Sequence, residues 1–303
     1  GTLVNESLIS NESDHEYSSH NIDASLNYKR TFNKKDQELE FALRTSSDHS
    51  DIRSDNRQFI LPKDSLFYGR NNTSAGNERE TEFQVDYSQP FGEKIMLSAG
   101  GKINFRDISN HSDVLSLYPE TNDFYYDSSL SNQLTYHQQI YAAYSEISLP
   151  VFSLFDMKIG ARYERTELNP YFSNAQTQVA EPGYNTLVPS AFFLRKLNED
   201  QSLKFSYSKR IRRPDYYDLN PFINTSDPKN ISTGNPYLKP QIGNRWELSC
   251  DHNLNTVGVL MVSAFYRTSK DDIQPYIVYY PELSVGDTTY TSVNMNTRQN
   301  IGL

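Results

Sequence analysis

The sequence has almost no cysteine and no long hydrophobic run. Cys250 is the only cysteine among 303 residues, which excludes an internal disulfide and any metal site built from several cysteines. No segment approaches the roughly 18 consecutive apolar residues that a membrane-spanning helix needs. Residues 1–10 lack the basic and then apolar pattern of a secretory leader, so we expect no signal peptide in this chain.

Signatures of catalysis and of nucleic-acid binding are also missing. A formal charge of −9 disfavours binding to phosphate backbones, so we expect no nucleic-acid partner. The six histidines show no His-Glu-x-x-His spacing, and no phosphate loop, dinucleotide fingerprint or Gly-x-Ser-x-Gly segment occurs. The acidic stretch Asp48–Asp55 lacks the spacing of a calcium loop. We therefore expect no catalytic residue, no metal, no cofactor and no enzymatic activity.

What the chain does have is aromatic residues and a period of two. Phe, Trp and Tyr make up 13% of a chain whose mean hydropathy is only −0.70. Apolar and polar residues alternate in many segments, which indicates β-strands with one apolar face. Clear examples are Ile22–Tyr28, Leu39–Leu43, Phe83–Tyr87, Ile95–Phe105, Met157–Tyr163, Leu203–Tyr207 and Trp246–Cys250.

Short and long connections alternate strictly between these strands. Tight turns are predicted near residues 33–35, 90–92, 152–153, 198–200 and 253–255. Long polar loops are predicted at residues 46–78, 107–132, 166–183, 214–241 and 269–288. Transmembrane barrels show this asymmetry because periplasmic turns are short and extracellular loops are long. The alternating runs last about 10–14 residues, enough to cross a bilayer at a tilt.

The predicted fold is all-β, an antiparallel up-and-down transmembrane β-barrel. Backbone amides in hydrocarbon must be bonded within the protein, so the apolar set faces lipid and the polar set faces a wet lumen. We count about eleven strands, which we interpret as part of a larger barrel because bacterial barrels have even strand numbers. Residues 1–303 are expected to form one barrel segment without a plug domain. The alternative is a secreted β-rich protein that binds or cleaves glycans.

The last 120 or so residues resemble a known family. Ser206–Pro214 leads into Leu219-Asn220-Pro221-Phe222, and then Gly234-Asn235-Pro236-Tyr237-Leu238-Lys239-Pro240 precedes Trp246-Glu247-Leu248. Phe265-Tyr266-Arg267 and Asp271-Asp272-Ile273 follow. In this order and spacing the segments resemble the outer-membrane barrel family related to TonB-dependent receptors. Gln241 departs from that family, which commonly has Glu at this point.

The resemblance implies a receptor or transporter in the cell outer membrane that imports a bulky nutrient. It implies that an N-terminal plug fills the lumen and contacts a TonB-type energy-coupling protein, with outer-membrane lipid and a surface lipoprotein as further partners. The alternative within the membrane is a structural or assembly-type barrel without coupled transport.

Candidate site residues lie where one strand leaves the membrane. By alternation, Lys209 and Arg213 are predicted to touch lipid headgroups, while Arg210 and Arg212 line the mouth or contact the plug. An ordinary charged rim is the alternative. Tyr216 and Tyr217 could stack on a ligand or pack within the loop. The family residues are expected to be structural, since the glycine permits a turn and the prolines hold the chain extended; they are Pro214, Asn220, Pro221, Gly234, Asn235, Pro236, Leu238, Lys239 and Pro240.

Overall fold

The computed structural model describes residues 8–118, 120–152, 154–173, 183–225, 227, 229–285 and 288–302. Within these residues strands dominate, and no helix is long and apolar enough to cross a membrane. The strands are β1 (Leu8–Thr31), β2 (Glu38–Leu61), β3 (Ser65–Phe91), β4 (Ile95–Tyr118), β5 (Asp123–Tyr126), β6 (Asn132–Val151), β7 (Phe155–Phe172), β8 (Gly183–Lys196), β9 (Gln201–Arg212), β10 (Asn230–Ser232), β11 (Gln241–Asn253), β12 (Val259–Lys270), β13 (Asp272–Val285) and β14 (Thr288–Ile301). One short helix, α1, spans Tyr216–Leu219.

The main sheet is antiparallel and follows the chain from strand to neighbouring strand. Its order is β1-β2-β3-β4-β6-β7-β8-β9-β11-β12, and β5 pairs with β4 to make 11 strands. β1 and β12 are its edges. A second sheet has the order β10-β14-β13, in which β10 runs parallel to β14. The predicted up-and-down antiparallel architecture is therefore confirmed, and the main sheet has the predicted number of strands, to which the second sheet adds three.

The apolar residues of successive strands stand directly opposite one another. Leu26 pairs with Leu43, Leu43 with Phe83, Phe83 with Ile103, and Ile103 with Tyr141. Such cross-strand pairs place every apolar side chain of a row on one face of the sheet. The register thus builds a continuous apolar band across the wall, as a lipid-facing surface requires.

This apolar band faces outward and does not form a dry core. Leu97, Ile159 and Phe205 are 36%, 42% and 38% exposed, although each lies in the middle of its alternating run. A sandwich would bury these side chains against a second sheet. The faces are therefore arranged as the alternation predicts, with the apolar side toward lipid.

The opposite face is lined by charged and amide side chains that pair with one another. Lys102 forms an ion pair with Glu82, and Arg106 forms one with Glu78 at 2.7 Å. Asn104 donates a hydrogen bond to Glu80 at 2.6 Å. Partners of this kind satisfy the polar groups on the wet face of the sheet.

The connections confirm the predicted turns and correct the predicted loops. In the described residues, the five predicted tight turns lie at junctions between strands, for example between Thr31 and Glu38, although those near residues 90–92 and 253–255 begin within the last residues of β3 and β11. Residues 46–78, 107–132 and 269–288 are instead mostly strand, since β2, β3, β4 and β13 run through them. Residues 166–172 also belong to a strand, and residues 174–182 lie outside the described part. Beyond the membrane both faces of a strand can be wet, so polar sequence does not end a strand there.

The direction of the faces can be tested with two adjacent residues of β9. Phe205→Arg puts a charge on the lipid face and is expected to destabilise the folded protein by roughly 2–4 kcal/mol, by analogy with charges near the bilayer midplane. Ser206→Arg puts the same charge on the inner face and is expected to change stability little. Urea unfolding of the full-length protein in lipid vesicles measures both. Equal losses for the two variants would contradict the assignment of the faces.

Candidate functional site

The segment between β9 and β11 folds back into the barrel mouth. We call residues 213–240 the mouth loop; residues 226 and 228 of it lie outside the described part. Leu219 at the end of α1 is fully buried, and Leu238 is nearly so. Both join an apolar cluster with side chains from the inner face of the wall. The cluster comprises Ile108, Leu134, Tyr136, Leu168, Phe172, Leu219, Leu238 and Ile273.

This cluster lies on the same side of the sheet as the lumenal ion pairs. Ile108 shares the even-numbered side of β4 with Lys102 and Arg106, and the register of β4 with its neighbours is unbroken. Leu168 likewise shares a side of β7 with Arg162 and Glu164. The mouth loop therefore covers the inner wall just above the apolar band.

A buried ion pair ties the start of the mouth loop to the wall. Arg213 forms an ion pair with Glu164 of β7, and its Nε donates a hydrogen bond to Thr166 Oγ1 at 3.1 Å. The Glu164 and Arg213 side chains are only 9% and 19% exposed. The prediction that Arg213 contacts lipid headgroups is wrong, because its guanidinium lies on the inner face. β9 ends at Arg212, so the alternation does not extend to the next residue.

The far side of the mouth loop is held by β14. Arg298 Nε forms an ion pair with the buried Asp218 at 3.0 Å. The Asn235 side chain donates a hydrogen bond to the Arg298 carbonyl oxygen at 3.0 Å. The Asn300 side chain accepts a hydrogen bond from Lys239 N at 2.8 Å and donates one to Lys239 O at 3.0 Å.

The family segment Gly234–Pro240 packs so closely that only glycine fits at its start. A Cβ at Gly234 would lie 2.5 Å from the Asn220 carbonyl oxygen and 2.7 Å from that of Asp218. Gly234 N and Asn235 N donate hydrogen bonds to these same oxygens, at 2.8 and 2.6 Å. Backbone pairing at this distance leaves no room for a side chain. Pro214 and Pro236 are buried, and Pro221 is half-buried. These contacts support a structural role for the segment.

The two tyrosines of α1 have different surroundings. Tyr216 packs against the apolar cluster, with its ring centroid 6.3 Å from that of Tyr136, and burial raises the pKa of its hydroxyl. Tyr217 is 56% exposed, and the neighbouring Asp215 carboxylate raises the pKa of its hydroxyl. Tyr217 is thus the more exposed of the two, although its ring contacts that of Tyr216 edge to face at a centroid distance of 5.6 Å, and ligand stacking there stays a prediction.

Arg210 and Arg212 lie on the inner face, as their alternation with Tyr207 and Phe205 predicts. They line a cavity of about 270 Å³ at the mouth together with Arg245 and Arg267. Lys209 falls on the outward side of β9, opposite Asn244, and its contact with lipid headgroups stays a prediction. Next to it on the outward side lies a row of aromatic rings, in which the ring centroid of Trp246 is 5.4 Å from that of Tyr207 and 5.6 Å from that of Tyr266. Such a row is typical of the aromatic girdle at a membrane surface.

Sequence reasoning missed Arg245, Arg267, Glu164 and Asp218. Arg245 and Arg267 alternate with the apolar residues of β11 and β12, so each lies on the inner face of its strand. The β11–β12 register, which places Arg245 opposite Arg267, is the signal that could have grouped them with Arg210. Glu164 and Asp218 carry no local signal, because their partners are 49 and 80 residues away. Within the described residues no group of three or more His, Cys, Asp or Glu side chains could hold a metal ion.

A family model described as "Outer membrane protein beta-barrel family" matches residues 30–303. The chain belongs to this family. It is an outer-membrane β-barrel, and its place is the cell outer membrane. No curated protein matches the sequence.

Solved structures share the fold of this outer-membrane barrel at low sequence identity. BauA, the ferric preacinetobactin receptor from Acinetobacter baumannii, has a TM-score of 0.51 at 10% identity, over 92% of this chain and 40% of BauA. The copper transporter OprC has a TM-score of 0.52 at 12% identity, over 94% of this chain and 48% of OprC. The chain thus spans less than half the length of each protein, and the likeness concerns the fold.

Proposed function

We propose that the chain forms part of the barrel wall of a TonB-dependent receptor, which imports a bulky nutrient across the outer membrane. The observation that carries this proposal is the mouth loop, which an apolar cluster and the Arg213–Glu164 ion pair hold on the inner wall and the Asp218–Arg298 ion pair holds on β14. The fold shared with a ferric preacinetobactin receptor and a copper transporter supports it.

The packed mouth loop distinguishes such a receptor from a passive pore. A diffusion pore keeps a water-filled channel. Here Leu219 is withdrawn completely from water against the wall, so a large solute meets packed protein at the entrance. Entry of a bulky ligand then requires rearrangement, and an energy-coupling protein supplies the work. In this proposal a plug domain contacts a TonB-type protein, and a surface lipoprotein is a further partner. We assign no enzymatic step.

Growth on defined nutrients tests the proposal. A strain that lacks the gene is compared with its parent on media in which one ferric chelate, oligosaccharide or peptide limits growth. We expect a defect on one nutrient only, reproduced when the TonB-type protein is removed, because both losses abolish the same uptake.

The same strains also test the runner-up function. A structural or assembly-type barrel predicts no nutrient-specific defect. It predicts instead greater sensitivity to detergent and large antibiotics, because the outer membrane itself is weakened. That pattern would replace the receptor proposal, whereas unchanged detergent resistance with a single nutrient defect supports it.

A further inference from the structure

Four arginines of three neighbouring strands meet on the inner face at the mouth. We call Arg210, Arg212, Arg245 and Arg267 the arginine cluster. Arg245 stands directly opposite Arg267 on β12, so these two side chains share a row. In the next rows Arg210 stands opposite Gly243, and Arg212 stands opposite Gln241. Residues in direct register lie on one face, so the four guanidinium groups point into the same space.

The arginine cluster carries more positive charge than its surroundings neutralise. Arg245 forms an ion pair with Glu247 at 2.8 Å. Among the described residues no carboxylate forms an ion pair with Arg210, Arg212 or Arg267. Gln241, which stands opposite Arg212, carries a neutral amide, and its Nε2 donates a hydrogen bond to Ser269 Oγ at 2.7 Å. The cluster therefore keeps three charges without an ion-pair partner, on exposed side chains that a dissolved ligand can reach.

Buried polar atoms at the same place also lack partners. Arg245 Nε and Gln241 Oε1 are withdrawn from solvent, and neither makes a hydrogen bond in the structure. Polar atoms buried in this way are rare in folded proteins and call for a partner. Both residues line the cavity of about 270 Å³ beside the cluster.

Gly243 provides the floor of this cavity. A Cβ at this position would meet no atom closer than the Thr268 carbonyl oxygen at 3.9 Å, so the absence of a side chain leaves free space between the arginines. The open volume approaches the lower end of the range of roughly 300–1,000 Å³ found for small-molecule sites. The free space of the cavity therefore lies directly beside the positive charges of the arginine cluster.

From this geometry we propose that the arginine cluster binds a small soluble polyanion, a molecule with two or more carboxylate or phosphate groups. Guanidinium groups recognise such oxyanions through paired, charge-assisted hydrogen bonds. β9 and β12 are separated by β11, so the outer arginines stand about 10 Å apart and fit two anionic groups on one molecule better than a single group. The cluster faces the lumen, away from lipid, which favours a dissolved ligand over a headgroup. This inference deepens the proposed function by naming a ligand class for the mouth.

Equilibrium binding to the purified full-length protein in detergent tests the site without requiring transport. The probes are pyrophosphate and propane-1,2,3-tricarboxylate, with glucose as the neutral control, measured by isothermal titration at low salt. We expect both anions to bind and glucose not to bind. Arg210→Gln/Arg212→Gln is expected to weaken anion binding roughly 100-fold, which is what the loss of two charge-assisted hydrogen bonds implies.

The matched control removes the same number of charges from the outward face of the same strands. Lys209→Gln/Lys270→Gln is expected to bind both anions as the wild type does. Gln241→Glu is expected to weaken binding roughly tenfold, because the new carboxylate pairs with Arg212 and repels the ligand. Far-ultraviolet circular dichroism and resistance to SDS at room temperature verify that each variant is folded.

Three results would overturn the assignment: no anion binding by the wild type, wild-type affinity in the arginine variant, or equal losses in the arginine and lysine variants. If the anions bind but no nutrient defect appears in the growth test, the anion site stands and the receptor function falls. If the nutrient defect appears without anion binding, the receptor function stands and the site is refuted.

Discussion

Glu164→Gln is expected to lower the free energy of unfolding by about 3 kcal/mol, because removing one member of a buried ion pair leaves the other charge without compensation. Two cations depend on this carboxylate, since Glu164 also accepts a hydrogen bond from Arg162. Urea unfolding of the full-length protein in vesicles measures the loss. Cleavage by trypsin after Lys229, an exposed residue of the mouth loop, reports whether the loop is released as well.

A neighbouring pair on β7 provides the control for this prediction. Glu167 and Arg165 form an ion pair at 3.3 Å, and both side chains are more than 40% exposed. Glu167→Gln is expected to cost less than about 1 kcal/mol, as exposed pairs do. The double variant Glu164→Gln/Arg213→Gln should recover part of the stability, because it removes the uncompensated cation too. Equal costs for Glu164→Gln and Glu167→Gln would show that burial of the pair contributes nothing.

Gly234→Ala is expected to loosen the mouth loop by separating its two packed halves. Its Cβ would overlap two backbone carbonyl oxygens, which cannot move away as the tip of a side chain can. Overpacking of this kind costs about 1–3 kcal/mol, and we expect the upper end here. The readout is the rate of trypsin cleavage after Lys229 in intact cells, which should rise by at least roughly tenfold.

Gly101→Ala is the matched control, since a Cβ there makes only an ordinary contact of 3.6 Å with the Ala142 carbonyl oxygen. Cleavage in this variant should equal that of the wild type. A Gly234→Ala protein whose loop resists trypsin as well as the wild type would mean that the close approach at Gly234 does not hold the loop.

The membrane-crossing part of this fold could be predicted from sequence because the bilayer imposes a strict rule. Side chains such as Phe83 and Phe205 must alternate with polar ones wherever one face meets lipid and the other meets water. The same rule stops at the membrane surface. Residues 46–61 and 65–78 form strands without apolar alternation, so their polar composition indicated loops instead.

The mouth loop could not be predicted because its partners are distant in sequence. Leu134, Tyr136 and Leu168 alternate with polar residues as the band does, yet they face inward, where the loop covers them. Periodicity reports that a strand has an apolar face, but it does not report what covers that face. Arg213 shows the same limit, since a contact with Glu164 across 49 residues overrides its position after the strand.

Two of the four residues of the arginine cluster could be predicted from the sequence. Arg210 and Arg212 stand in one predicted strand, so their shared face followed from alternation alone. Arg245 and Arg267 could be assigned to the same cluster only from the register of β11 with β9 and β12, which the structure shows. Register depends on pairing between strands, which a single sequence encodes weakly.

The length of β2 and β3 has a consequence for anything that approaches the cell from outside. These strands have 24 and 27 residues, whereas about 9–11 cross a bilayer at a tilt. At about 3.3 Å per residue and a 45° tilt, the surplus lifts the turn after Leu61 roughly 30 Å above the lipid. An antibody or phage fibre therefore meets this raised part of the wall before the lipid, and exchange of residues at its tip can abolish recognition while the band in the bilayer stays unchanged.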